Sequence, residues 1–239
     1  MKSDRFFYST TAALNLVVMF VGFFAFYTGG RGAGGRVIAP EIMTVVIVHG
    51  MSITAWYVLS LVQSLLITVR NRKLHMQLGW SAVGLLPVIT LSGVLVAVRS
   101  ARAAPDIGFF GMRYHDFLLV MLVEMTVVSM FILAGLLTRK QPEKHRAMML
   151  CASLSLLLGA TTRIPFLVEL FGGEDSRLAF FGPVFVLAAL LVLVRSVMIR
   201  SFDKWLAAGC VFLMVVYLGA EQLSRTDAWR QLAGRILGS

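Results

Sequence analysis

Apolar runs of roughly 20 residues, the length that crosses a hydrocarbon core of about 30 Å as a helix, recur between short polar turns from Thr10 to Gly219. A bilayer core offers no water, so such runs must satisfy their own backbone groups, which favours helices. Helices of a soluble domain keep a polar face, whereas these runs are apolar all round. With 58% hydrophobic and 14% charged residues, the expected fold is an all-α, polytopic membrane helix bundle. Its net charge of +10 then belongs in loops facing anionic lipid, and no nucleic-acid partner is expected.

Seven transmembrane helices are read along the chain. Thr10 to Tyr27 follows Lys2 and Arg5; it lacks a small-residue cleavage site at Phe24-Ala25-Phe26-Tyr27, so it counts as a helix rather than a removed signal. The glycine-rich turn Gly29 to Arg36 has no following Lys-Ser/Thr and is an extramembrane loop, not a phosphate cradle. The second helix starts at Pro40, where a missing N–H costs nothing, and runs to about Thr68. The third covers His75 to Val98, with a kink at Pro87. After a turn at Ala103-Ala104-Pro105-Asp106 the fourth starts at Gly108 or Tyr114 and ends at Leu137. The fifth covers Pro142 to Leu170, broken locally by Pro165; the sixth covers Phe180 to Met198 and the seventh Lys204 to Gly219. Residues 221–239 are too polar to span. Their stripe of Trp229, Leu232, Ala233 and Ile236 predicts a short helix lying on the membrane surface. The chain reads as one transmembrane domain, 1–239, with a four-helix core at about 40–170.

The N-terminus and the second, fourth and sixth loops together carry twelve Lys and Arg, against six in the other loops and three in the tail. This excess predicts a cytoplasmic N-terminus.

All four histidines, His49, His75, His115 and His145, fall one to a helix within that core. Imidazole both ligates metals as a neutral base and titrates near neutrality. Up-and-down threading puts His49 and His115 in the outer parts of the second and fourth helices, and His75 and His145 at the inner ends of the third and fifth. His145 shares a helical face with Ala152, Gly159, Ala160 and Arg163, and His75 with Gly79, Ala82 and Gly93. Small residues on such faces admit a flat cofactor, and equally a neighbouring helix. Arg163 and Glu124 are the most deeply placed charges of the core, and buried charges are functional candidates unless they simply pair with each other.

This histidine layout resembles the transmembrane di-haem cytochromes b of the ascorbate-dependent type, over about residues 40 to 170. The resemblance implies an outer haem b held by His49 and His115 and an inner one held by His75 and His145, carrying electrons across the bilayer. The family's substrate-site sequence is absent. Arg163 would suit a haem propionate, and the implied partners are quinone or a periplasmic redox protein. His75 and His145 each follow a basic turn almost at once, which would hold an inner haem close to the water interface. The segments Trp56 to Gln63 and His75 to Trp80 are also similar to a group of small bacterial multi-pass proteins, implying a bacterial inner (plasma) membrane.

Other chemistries find less support. A zinc hydrolase needs histidines and a carboxylate converging with one open position, whereas here the histidines divide two and two. Copper handling would need a recurring methionine spacing that Met121, Met125, Met148 and Met149 do not have. Cys151 and Cys210 sit in apolar runs and offer no CxxC motif. The alternative from another class is a cofactor-free transporter or assembly factor whose histidines, Glu124 and Arg163 line a polar path.

Overall fold

The computed structural model describes residues 2–32, 35–103 and 108–238. The chain runs through α1 (Lys2–Gly22), α2 (Phe24–Gly29), α3 (Pro40–Thr68), α4 (Arg72–Gly79) and α5 (Ser81–Ala103) into a small hairpin of β1 (Gly108–Phe109) and β2 (Met112–Arg113). It continues through α6 (Tyr114–Leu137), α7 (Pro142–Leu156), α8 (Leu158–Thr161), α9 (Pro165–Leu170), α10 (Arg177–Ile199), α11 (Lys204–Ser224) and α12 (Asp227–Leu237). Among the described residues the fold is all-α but for that hairpin and one isolated bridge between Arg31 and Val37, and the protein is a membrane protein. Among the described residues five segments are long and apolar enough to cross a bilayer: Pro40–Thr68, Arg72–Ala103, Tyr114–Leu137, Arg177–Ile199 and Lys204–Ser224. The apolar part of α1, Phe6–Gly22, is shorter.

Local chemistry sets the helix starts. Pro40, Pro142 and Pro165 occupy first-turn positions of α3, α7 and α9, where the absent N–H has no partner to lose. Asn71 and Asp203 cap α4 and α11 by accepting from the N–H of Leu74 and Leu206, each at 3.1 Å, and Thr226 caps α12 by accepting from the Trp229 N–H at 3.3 Å. Each cap satisfies a donor that the helix leaves over.

The expected fifth helix is three pieces. α7 gives way to α8 at Leu157, and Thr162 to Ile164 then separate α8 from α9. Ile164 is extended because the ring of Pro165 disfavours helical backbone before it. Pro87, by contrast, is carried inside α5 without ending it. Of the glycine-rich loop, 33–34 lie outside the described residues, as do 104–107 of the expected turn at Ala103 to Asp106.

Close approach of backbones holds the bundle. A Cβ on Gly22 would fall 2.8 Å from the carbonyl carbon of Ala160, and one on Gly209 2.5 Å from Cys151 Sγ. Such small-residue contacts are what packs helices when lipid removes the hydrophobic drive between them. Trp56, Tyr57, Ile89, Val128, Leu154, Leu213 and Tyr217 form part of a continuous buried core. Inside it the Trp56 indole N–H donates to Ser153 Oγ at 3.1 Å and the Tyr57 hydroxyl to the Ser153 carbonyl at 2.7 Å.

The tail departs from its expected place. The stripe on α12 faces protein rather than lipid: Trp229 and Ala233 are buried against Ala97, Ala101, Leu118 and Leu119 of α5 and α6, while Leu232 stays exposed. Arg102 donates to the Ile236 carbonyl at 2.7 Å and the Trp229 indole to the His115 carbonyl at 2.9 Å.

Candidate functional site

The turn between α3 and α4 and that between α6 and α7 bring two histidines to one end of the bundle. His75, one turn into α4, and His145, one turn into α7, lie with ring centroids 6.3 Å apart and ring planes at 89°. His145 Nδ1 is 2.8 Å from the Gly135 carbonyl of α6; since a carbonyl only accepts, Nδ1 carries the proton and Nε2 is left as the acceptor nitrogen. A carbonyl holding one nitrogen so that the other is fixed is the usual support of a ligating imidazole. His75 Nδ1 is buried with no partner, as are both amide atoms of Gln63 on α3. Gln63 Nε2 comes to 4.0 Å from where a Gly79 side chain would begin. Unpaired buried polar atoms cost free energy, and these gather around one imidazole. Beside them the Arg139 guanidinium sits 5.7 Å from the centre of the Trp80 ring.

The other two histidines do not pair. His49 Nδ1 is 3.0 Å from Ser92 Oγ on α5. At Gly93, where there is no side chain, a Cβ would meet His49 Cε1 at 2.9 Å and would collide with Met125 Sδ. His49 is thus level with Met125, ten residues beyond His115 on α6, or about 15 Å along the axis. His115 leans away from that level, since helical side chains tilt toward the N-terminus. Two nitrogens on one iron, each about 2 Å from it, cannot span such a gap. His115 is instead tied into the α12 contact, its Nε2 buried without a partner and the neighbouring Asp116 carboxylate 3.7 Å from both Arg113 and Arg230.

Arg163 occupies the break between α8 and α9. Its guanidinium donates to the Gly159 carbonyl and covers the Phe23 ring at 4.6 Å, while its Nε is buried with no partner. Both His49 and Glu124 lie within electrostatic reach of it, yet among the described residues no salt bridge joins Arg163 to Glu124. The simple structural ion pair is not formed. The small faces are filled as well: Gly93 by His49 and Met125, and Gly159 by Phe23 and Arg163 itself. The helix breaks also end the continuous face expected from His145 to Arg163.

Among the described residues no group of three or more His, Cys, Asp or Glu is arranged to hold a metal ion. A haem needs only two axial ligands. By that standard His75 and His145 are the pair that would hold one: their rings lie 6.3 Å apart, and the orphaned Nδ1 and Gln63 amide are groups that a bound molecule would satisfy. His49 and His115 do not suit one. Sequence reasoning missed Gln63, Ser92 and the Gly135 carbonyl. Only Gln63 left a trace, as a lone amide in an apolar run. No protein-family model, no curated protein and no solved structure matches this chain.

Proposed function

We propose that this protein is a membrane electron-transfer protein that binds one haem b between His75 and His145. The observation that carries the reading is the facing of these two imidazoles at 6.3 Å, with His145 held by the Gly135 carbonyl. When bound, the haem supplies one-electron chemistry at a potential set by its axial ligands and surroundings. The chain's own part is to fix both rings, to exclude water with the apolar faces of α3, α5 and α6, and to offer Arg139, Arg72 and Lys140 near the interface to acidic groups of the cofactor. Closeness to the basic turns thus favours the site.

We read seven crossings in this protein, with the N-terminus cytoplasmic in a bacterial inner membrane. What supports it is that α1 and the α7–α8 pair run beside the five long spans: Arg146 covers the Tyr8 ring and Arg195 the Phe7 ring at one end of α1, and Gly22 meets Ala160 toward the other. Quinone or a periplasmic redox protein would be the electron partner.

Purified protein should be red, with sharp α-bands on reduction, and His75→Ala and His145→Ala should each remove the same spectral species while His115→Ala leaves it. Colourless, metal-free protein overturns the reading in favour of the second one, a cofactor-free polar path through His49, Glu124 and Arg163. That path is favoured by the unpartnered Arg163 Nε and by Glu124 lacking a salt bridge so close to a cation.

A further inference from the structure

An open cavity of about 380 Å³ lies at the end of the bundle where α7 and α11 begin, lined by Gln141, Pro142, Glu143, Lys144, Arg146 and Trp205. Two cations are drawn to one indole there: the Lys144 ammonium is 4.4 Å and the Lys204 ammonium 5.6 Å from the Trp205 ring centre. Arg146 lines the same cavity, where Glu143 is the one acidic side chain. Two ammonium groups beside one carboxylate leave a positive excess that a bound anion would offset.

The level of this cavity identifies the anion. It opens where the apolar spans α10 and α11 meet water, and indole rings settle at that depth of a bilayer. Around it the turn from α10 to α11 exposes Val197 and Phe202, apolar surface for which acyl chains, not water, are the natural neighbour. A phosphate carried on an acyl tail satisfies both halves.

We infer that this cavity is a binding site for the phosphate headgroup of an anionic phospholipid, with Lys144 and Lys204 as its counter-ions and Trp205 as its wall. The inference is independent of any haem. Each lysine near an anionic lipid surface is worth about fivefold in affinity, and a converging set gives selectivity over zwitterionic lipid.

The test titrates the detergent-solubilised full chain with short-chain phosphatidylglycerol, phosphatidylcholine or inorganic phosphate, reading bound lipid by native mass spectrometry and Trp205 fluorescence against Trp205→Phe. The expected result is saturable phosphatidylglycerol binding, weaker by about fivefold in Lys144→Gln and by more in Lys144→Gln with Lys204→Gln, and retained in Lys144→Arg. Equal binding of phosphatidylcholine, binding of inorganic phosphate as tight as that of the lipid, or Lys144→Gln protein that elutes as a folded species and binds unchanged would each overturn it.

Discussion

His49 and Met125 share the space left by the absent side chain of Gly93, although they come from helices α3 and α6 and the glycine from α5. A methyl group there must displace one of them. Gly93→Ala should therefore cost about 1–3 kcal/mol, as overpacking of a tight core does. Gly84 lies on the same helix with nothing within 4 Å of its missing Cβ, so Gly84→Ala should be neutral or slightly stabilising through helix propensity. Thermal unfolding in detergent compares the two.

Two arginines should respond in opposite ways to removal of charge. Arg195, 4% exposed, is 3.3 Å from the Asp203 carboxylate, and Arg195→Met would leave that acid uncompensated, at a cost of about 3–5 kcal/mol. Among the described residues no carboxylate forms a salt bridge with Arg163, and its Nε is unsatisfied. Arg163→Met should be neutral or stabilising in the same melting experiment, because it removes a charge that the site solvates poorly.

The docked tail offers a graded test. Trp229→Phe keeps a six-membered ring but loses the fused pyrrole and with it the hydrogen bond to the His115 carbonyl, which should cost at least about 1 kcal/mol. Trp229→Ala also opens a cavity among Ala97, Ala101 and Leu118, which should cost about 3–5 kcal/mol. Proteolysis near Arg225 should quicken in the same order.

Cys151 and Cys210 are both buried, so new cysteines can be labelled without replacing them. Substitutions at Arg72, Lys140 and Lys204 should react with an impermeant thiol reagent from one side of the membrane, and those at Arg113 and Arg230 from the other. If Arg72 and Arg113 label from the same side, the α4–α5 segment does not cross and the two ends of the bundle are not on opposite faces.

The five long spans were legible because apolar length is a direct physical requirement of the bilayer. That His75 and His145 share one end of the bundle was legible too, since up-and-down threading puts both at the same helix ends. The depth of His49 was not: threading tells which half of the bundle a residue occupies but not its level against another helix, which here Gly93 decides. Nor did Pro165 reveal that the break begins at Leu157, where no residue lacks a donor. For Trp229 and Ala233 the helical period identified an apolar face without saying whether lipid or protein would cover it.

The seat of α12 has a consequence for the order of assembly. Ala97, Ala101, Leu118 and Leu119 are translated more than a hundred residues before Trp229 and Ala233, which bury them. Throughout synthesis of α7 to α11 that face of α5 and α6 stays uncovered, and the carbonyl of His115 waits for an indole that arrives more than a hundred residues later. A polypeptide released before residue 227 would hold every long span and still present an open seam. Closure of that seam therefore reports that translation has passed α12.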